Sequence, residues 1–540
     1  MDCVEMWYGV PRSLWISVAL GTSFAFTLGY HWLITLSINL LSKVLGFYLN
    51  QTYPIKDISL KRDLPSLPYR WPDGNGDIAK FLNGPQNSRK WRKEYGKVYR
   101  IWAGSSPEVV VSDSEHLKTI FRDSDLHTKA INNDSGYLMS QVLGQCVGLL
   151  SGRVWQHVRR KTERPFSHHS INDSAPTVRM ETQKYVQTLL SSENVQMKSR
   201  FDPVRDIKLY PFLVTATILY GKLDDGFAIW LKRLVPLREE LFSHVIKGGL
   251  SRFPISRYLP TRANKLLRAF QKDWLRFNKE ICQLRKVAMD RGPAISWWED
   301  AFNGGINQIQ LLQTLDEALF ANLDVTTGAI SWNFLYLAAN TQEQSLLRSE
   351  ILEQADDGDD RWDKYIERSD TFLAACINES ARLRPVTGKS FKHVLSSGHC
   401  DSLPKSHNQH TVAFSIPQAP PTDRIIDNWV IPKNTMIIVD TYGLNVCNEF
   451  WGKDSQNYRP SRFLGLSTVQ TRYQMWRFGF GPRQCMGKFL AEYLVRSIVA
   501  SVIKELEINL SEADKQKMDF SHNPNEWVTQ PDITLECRRR

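Results

Sequence analysis

The apolar pattern is densest at the N-terminal end, where Ser13 to Ser42 contains no Asp, Glu, Lys or Arg. The core of this stretch, Leu14 to Leu41, exceeds the ~20 apolar residues a spanning helix needs. A membrane anchor is therefore expected over residues 1–50. A secretory leader is the weaker alternative, because the run is too long and Asp2 and Glu5 stand where a leader carries basic residues. Lys43, Lys56, Lys61 and Arg62 follow the segment, which places the body in the cytosol by the positive-inside rule. The pattern leaves open whether the chain crosses once or dips back near Gly29–Asn39. Pro54, Pro65, Pro68 and Pro72 predict a stiff linker over 51–76. The globular body is expected over 77–540.

Within the body, Tyr99–Trp102 and Glu108–Ser112 read as a short hairpin. Ser124–Gly148 is largely polar, and Tyr185–Arg291 reads as a series of helices. Leu311–Ala339 predicts one long, apolar-rich helix. Ser396–Asp423 is polar and Pro-containing, which predicts a surface loop, and Trp429–Val439 reads as strand, turn, strand. Near the C-terminus Leu490, Tyr493, Leu494, Val499, Val502, Ile503 and Leu506 recur at helical spacing and predict a buried helix.

The chemistry concentrates just before that last helix, in Phe478-Gly479-Phe480-Gly481-Pro482-Arg483-Gln484-Cys485-Met486-Gly487. Gly479 and Gly481 allow a tight turn, and with Gly487 they let a large flat group approach the backbone. Cys485 is delivered to the start of a helix, where free N–H groups favour a thiolate. Arg483 sets a fixed cation beside it, suited to a carboxylate. This combination fits an axial thiolate ligand to haem iron. The eight cysteines are scattered through the 540 residues without paired spacing, which argues against zinc and a disulfide framework. The net charge of +11 comes without a Lys/Arg run interleaved with aromatics. That argues against nucleic acid and for a membrane surface or an acidic protein partner.

The loop matches the pattern Phe-Gly-x-Gly-x-Arg-x-Cys-x-Gly at Phe478, Gly479, Gly481, Arg483, Cys485 and Gly487, and so resembles the haem-binding loop of the cytochrome P-450 superfamily. Trp155 and Arg159 lie four apart, on one helix face, and resemble the superfamily pair that contacts a haem propionate. Glu379-Ser380-Ala381-Arg382 followed by Leu383-Arg384-Pro385 resembles its second signature, which Arg462 would complete as a buried cluster. Ala321-Asn322-Leu323-Asp324-Val325-Thr326 falls where the superfamily carries its dioxygen-handling motif. Val325 replaces the first Thr of that motif, Asn322 replaces a Gly, and Thr326 aligns with the second Thr. Proton delivery would then fall to Asp324, with Thr326 usable only if the helix is kinked, because one residue turns the helix by about 100°.

The resemblance implies a mainly α fold with small β-sheets (α+β), the cytochrome P-450 fold, carrying an N-terminal transmembrane anchor. It implies haem b with Cys485 as the metal ligand, a small lipophilic substrate, and a body held at the endoplasmic reticulum membrane. Electrons would come from NADPH through a reductase, with cytochrome b5 as a further candidate donor. It further implies that Val386–Ser390 and Asn525–Thr529 line the pocket, that Lys392 or His393 approaches a propionate, and that Gly248–Leu259 lids it. The Asn-x-Asp-Val-Thr run also resembles fungal biosynthetic members. The expected activity is oxidation of a lipophilic metabolite by hydroxylation, epoxidation, desaturation or coupling. Val325 motivates one rival, a haem-thiolate isomerase or dehydratase that does not use dioxygen. A haem-binding protein without catalysis is the other.

Overall fold

The computed structural model describes residues 12–71, 74–75, 84–355, 358–385, 414–516 and 530–540. The expectations for Val386–Ser390, Lys392, His393 and Asn525–Thr529 fall outside these residues. Helix α1 (Arg12–Thr52) runs for 41 residues, about 60 Å at 1.5 Å per residue. It passes through Gly29–Asn39 without a break. Trp32–Thr52 is long and apolar enough to cross a membrane, with a mean hydropathy of 1.5. Trp32, Leu36, Leu40 and Phe47 are exposed, whereas Leu45 and Leu49 pack on Tyr69 and Trp102 of the body. The end of α1 is thus docked and its outer part is not.

Of the helices in the body, six position the site. They are α2 (Ser114–Phe121), α3 (Gly152–Thr162), α4 (Gln308–Asp316), α5 (Asn322–Ala339), α6 (Phe372–Leu383) and α7 (Lys488–Glu505). The apolar spacing read from Leu490 onward appears in α7 as buried Leu490, Tyr493, Leu494, Val499, Val502 and Ile503, which share the main core with α5. Residues 308–339 are not one uniform helix. Glu317–Ala321 forms a π-turn between α4 and α5, a wide turn of the kind that marks functional sites.

Strands β1 (Lys56–Asp57), β2 (Val98–Ala103), β3 (Ser106–Val111), β4 (Thr128–Lys129) and β5 (Arg200–Phe201) come from the first half. The second half gives β6 (Gln418–Ala419), β7 (Arg424–Ile426), β8 (Trp429–Ile431), β9 (Met436–Val439), β10 (Leu506–Asn509) and β11 (Leu535–Arg539). They form three small sheets of order β1-β8-β7, β10-β11-β5 and β2-β3-β9-β6-β4. The hairpin expected near Tyr99 is β2–β3, in register from Val98↔Val111 to Ala103↔Ser106.

Trp429–Val439 is strand, turn, strand as expected, in β8 and β9. β8 and β9 follow one another in sequence but enter different sheets, with β9 parallel to β3. Ile437, Ile438 and Val439 are all buried, and a strand covered on both faces suits a central, parallel position. The stretch expected as a surface loop also contributes core. Phe414 is buried against Trp91 at a ring separation of 6.0 Å, and β6 pairs with both β9 and β4.

Glu379 on α6 is fully buried and holds two arginines. Arg382 Nε donates to Oε2 at 2.7 Å and its Nη2 to Oε1 at 2.8 Å, while Arg462 Nε donates to Oε1 at 2.8 Å. Arg382 Nη1 continues to the carbonyl of Asn445 at 2.8 Å. The Asn445 side chain then clamps the backbone of Trp476, accepting from its N–H at 2.7 Å and donating to its carbonyl at 2.9 Å. The Trp476 ring lies 5.0 Å from that of Phe480. The buried charge cluster therefore bears directly on the cysteine loop.

Candidate active site

The loop is fixed from both sides. The Cys485 N–H donates to the Phe478 carbonyl at 2.8 Å, and that of Gln484 to Gly481 at 3.0 Å. Ser124, just past α2, accepts the Arg483 N–H at 3.1 Å and donates to the Phe480 carbonyl at 3.3 Å. Gly481 has φ +71°, and a Cβ there would lie 1.9 Å from the Phe121 carbonyl oxygen. Both its conformation and the approach of α2 exclude a side chain.

The Cys485 side chain is accessible although protein surrounds it on every side, so it opens onto an interior recess rather than bulk water. Burial pushes its thiol above the ordinary range. The Gly487 N–H and the cations Arg159 and Lys129 pull the other way without prevailing, and Glu317 adds to the rise. The thiolate expected from a helix start is thus not secured by the protein alone. Cys485 precedes α7 by three residues, outside its first turn.

Arg483 is buried, donates to the carbonyls of His127 (2.9 Å) and Leu150, and places its guanidinium 4.5 Å from the Trp155 ring centre. Burial and the nearby Arg159 bring its pKa down to about 10. Trp155 is buried on α3, and Arg159 one turn on donates to the Gln484 carbonyl at 3.3 Å and to Glu163 at 2.8 Å. Trp155, Arg159, Arg483 and Cys485 therefore come together, as do Phe478, Gly479, Gly481 and Gly487 in the same loop.

The sequence reading missed two residues here. Lys129 on β4 donates from Nζ to the Gly148 carbonyl at 2.8 Å. Burial, then Arg483, lower its pKa to about 8. Glu317 in the π-turn accepts the Gly148 N–H at 2.9 Å. The adjacent acids Asp316 and Glu317 inside the apolar run from Leu311 were the available signal for Glu317; Lys129 in a polar stretch carried none. The recess thus holds three cationic side chains and one carboxylate near the thiol, a surplus of positive charge. Gly487 has open space where a Cβ would stand.

Asp324 and Thr326 are placed differently from one another. Among the described side chains from Gln313 to Gly328, Glu317, Ala318, Asp324 and Val325 are accessible, while Thr326 is buried. The open face of the helix therefore presents Val325, not Thr326. A groove of about 980 Å³ lies behind the cysteine loop, lined by Arg472, Arg477, Phe478, Gln484, Lys488 and Phe489 among others and by no residue of α4 or α5. It lies off the dioxygen helix and is not the recess at Cys485.

The family model for cytochrome P450 matches residues 74–400 and 409–535. The chain belongs to the cytochrome P450 family. It is 43% identical over 498 residues to the cytochrome P450 monooxygenase aclC of Aspergillus oryzae, covering 91% of this chain and 95% of that relative. It is 40% identical to asaD of Aspergillus flavus over 93% of this chain and 91% of the relative, and 39% identical to gliC of Aspergillus fumigatus over 92% and 93%. Both are likewise cytochrome P450 monooxygenases. The mainly helical fold with small sheets is that of the family. The chain is accordingly a cytochrome P450 monooxygenase, and membership implies a haem-thiolate cofactor. The residues around Cys485 fit such a group: a thiol on a recess, space over Gly487, and cations in excess for two carboxylates.

Proposed function

We propose that this monooxygenase oxidises a small lipophilic metabolite of fungal secondary metabolism, with Cys485 as the axial ligand of its haem. The observation that carries the reading is the accessible Cys485 thiol, in a recess with Arg159, Lys129 and Glu317 of the π-turn. Haem, when bound, supplies activation of dioxygen. Cys485 would hold it, its thiol losing the proton that burial otherwise favours. Arg483, braced on Trp155, and Arg159 would hold its carboxylates. Phe478, Gly479, Gly481 and Gly487 keep the loop thin enough for close approach.

On the substrate side, Val325 brings no hydroxyl to the open face of the helix. Asp324, accessible beside it, is the group we assign to hold and pass a proton. Thr326, buried, supports the helix and takes no direct part. The Gly248–Leu259 segment forms two 3₁₀ turns with Leu250, Phe253, Ile255 and Tyr258 exposed. Such a surface suits a lid that rests on the membrane.

We assign residues 1–50 as the membrane anchor, 51–76 as the connection and 77–540 as the catalytic unit, cytosolic at the endoplasmic reticulum. NADPH-derived electrons would arrive through a reductase, with cytochrome b5 as a second donor.

Deleting the gene and comparing metabolite masses with the parent strain tests the reading. Accumulation of a precursor lighter by one oxygen means hydroxylation or epoxidation, and one heavier by two hydrogens means desaturation or coupling. A precursor equal in mass to the lost product would replace oxidation with isomerisation, the reading that Val325 motivates.

A further inference from the structure

Glu317 is a carboxylate that the assigned chemistry does not use. It stands in the π-turn, next to buried Asp316 and followed by buried Leu319 and Phe320. Three side chains of this helical segment take backbone N–H groups from one loop. Gln313 Oε1 accepts from Gln145 at 2.6 Å, Thr314 Oγ1 from Val147 at 3.2 Å, and Glu317 Oε2 from Gly148 at 2.9 Å. The first two do so with neutral groups. A third stitch needs no charge, and an ionised carboxylate is the more costly group to place in a recess.

The surroundings of Glu317 leave that charge without a direct ion pair. Among the described residues no Lys or Arg nitrogen lies within 4.0 Å of it. Lys129 is committed to the Gly148 carbonyl, and Arg483 to those of His127 and Leu150. Burial and then this carboxylate hold the Cys146 thiol well above its ordinary range. The loop backbone is pressed close: a Cβ at Gly148 would come within 1.8 Å of Glu317 Oε1.

The π-turn aligns Glu317 with the site. In a uniform α-helix residues 317 and 325 would be about 80° apart around the axis. The extra residue of the wide turn reduces the offset to about 20°. Glu317 and Val325 are indeed both accessible where their neighbours Asp316 and Thr326 are buried. A carboxylate with spare acceptor capacity thus shares the open face with the position that lost its hydroxyl.

We propose that Glu317 orients the substrate, accepting a hydrogen bond from an N–H or O–H group of the molecule to be oxidised, and so selects substrates that carry such a donor. This rests on the haem assignment at Cys485. The π-turn is what brings the carboxylate into the substrate's reach, and the loop 145–148 is its backstop.

Two iron-binding probes test this on the full-length, haem-loaded protein: N-(aminopropyl)imidazole, protonated at pH 7, and N-butylimidazole, its match without the donor. Both report binding through the Soret shift. Wild type is expected to favour the amine, and Glu317→Gln to lose that preference by about ten-fold or more, with the affinity for the butyl probe unchanged. Equal affinities of wild type for the two probes would overturn the proposal even if the variant did not fold. A preference that survives in Glu317→Gln would overturn it as well. Absence of any Soret band would overturn the haem assignment instead, and this inference with it.

Discussion

The guanidinium of Arg483 sits 4.5 Å from the ring centre of Trp155, so the arginine of the cysteine loop is braced by an indole from α3. Its fork is also spread between two carbonyls. Arg483→Lys cannot reproduce a planar, stacked, two-pronged contact. It is expected to lower haem retained per protein on purification, read from absorbance. Trp155→Ala, which removes a contact of about 1–2 kcal/mol, should do the same to a lesser degree.

The Glu379 cluster should behave as a unit. Glu379→Ala leaves Arg382 buried without a counter-charge and Arg462 with only Asp454 at 3.4 Å, and the expected loss is about 3–5 kcal/mol. Thermal unfolding followed through the thiolate-type carbon monoxide band checks this. Adding Arg462→Ala to Glu379→Ala should cost less than the sum of the two single changes, since both remove the same contact.

Asp440 gives a pH dependence. Its carboxyl is buried, accepting from Ser88 Oγ at 2.7 Å and the Gly443 N–H at 2.7 Å, and burial pushes its pKa from 3.8 to about 6. A carboxyl raised on folding binds its proton more tightly in the native state. Its stabilising contribution is therefore complete below about pH 4 and is lost as pH rises through about 6. Between pH 5 and 7.5 wild type should lose about 1 kcal/mol relative to Asp440→Asn. Denaturant titrations of both proteins at the two pH values measure it.

Val325→Thr places a hydroxyl on the open face of α5. Turnover should persist while the ratio of product formed to NADPH consumed changes. Complete loss of product would instead mean that the pocket needs an apolar group at this position.

Deleting residues 1–43 removes most of the apolar stretch of α1, Trp32, Leu36 and Leu40 included, and keeps Leu45 and Leu49 on the body. The shortened protein should move from the membrane pellet to the supernatant with its carbon monoxide spectrum unchanged. Retention in the pellet would direct attention to Leu250, Phe253, Ile255 and Tyr258.

Much of this was legible where one short segment carries all the information. The cysteine loop needs glycines, an arginine and a thiol at fixed spacing, and α7 follows from its apolar period. The Glu379–Arg382 pair is local, one turn of helix apart. What could not be read depends on long-range company. That β9 is a strand was legible, but not that β3, far upstream in sequence, pairs with it. Phe414 lies in a polar stretch and is core only because Trp91 waits for it. That Thr326 lies off the face of Val325 followed from the helix period alone, but the π-turn leaves the apolar pattern of Leu311–Ala339 intact, so the placement of Glu317 on the open face was not visible.

The mooring of Arg483 on Ser124 joins residues 359 apart in sequence. A ribosome adding about 5–20 residues per second needs roughly 20–70 s to travel between them. Throughout that interval α1 and α2 have already been made, while the loop that seats against α2 has not. Until Arg483 is made, Ser124 has no loop to moor and the seat for the cofactor is unfinished.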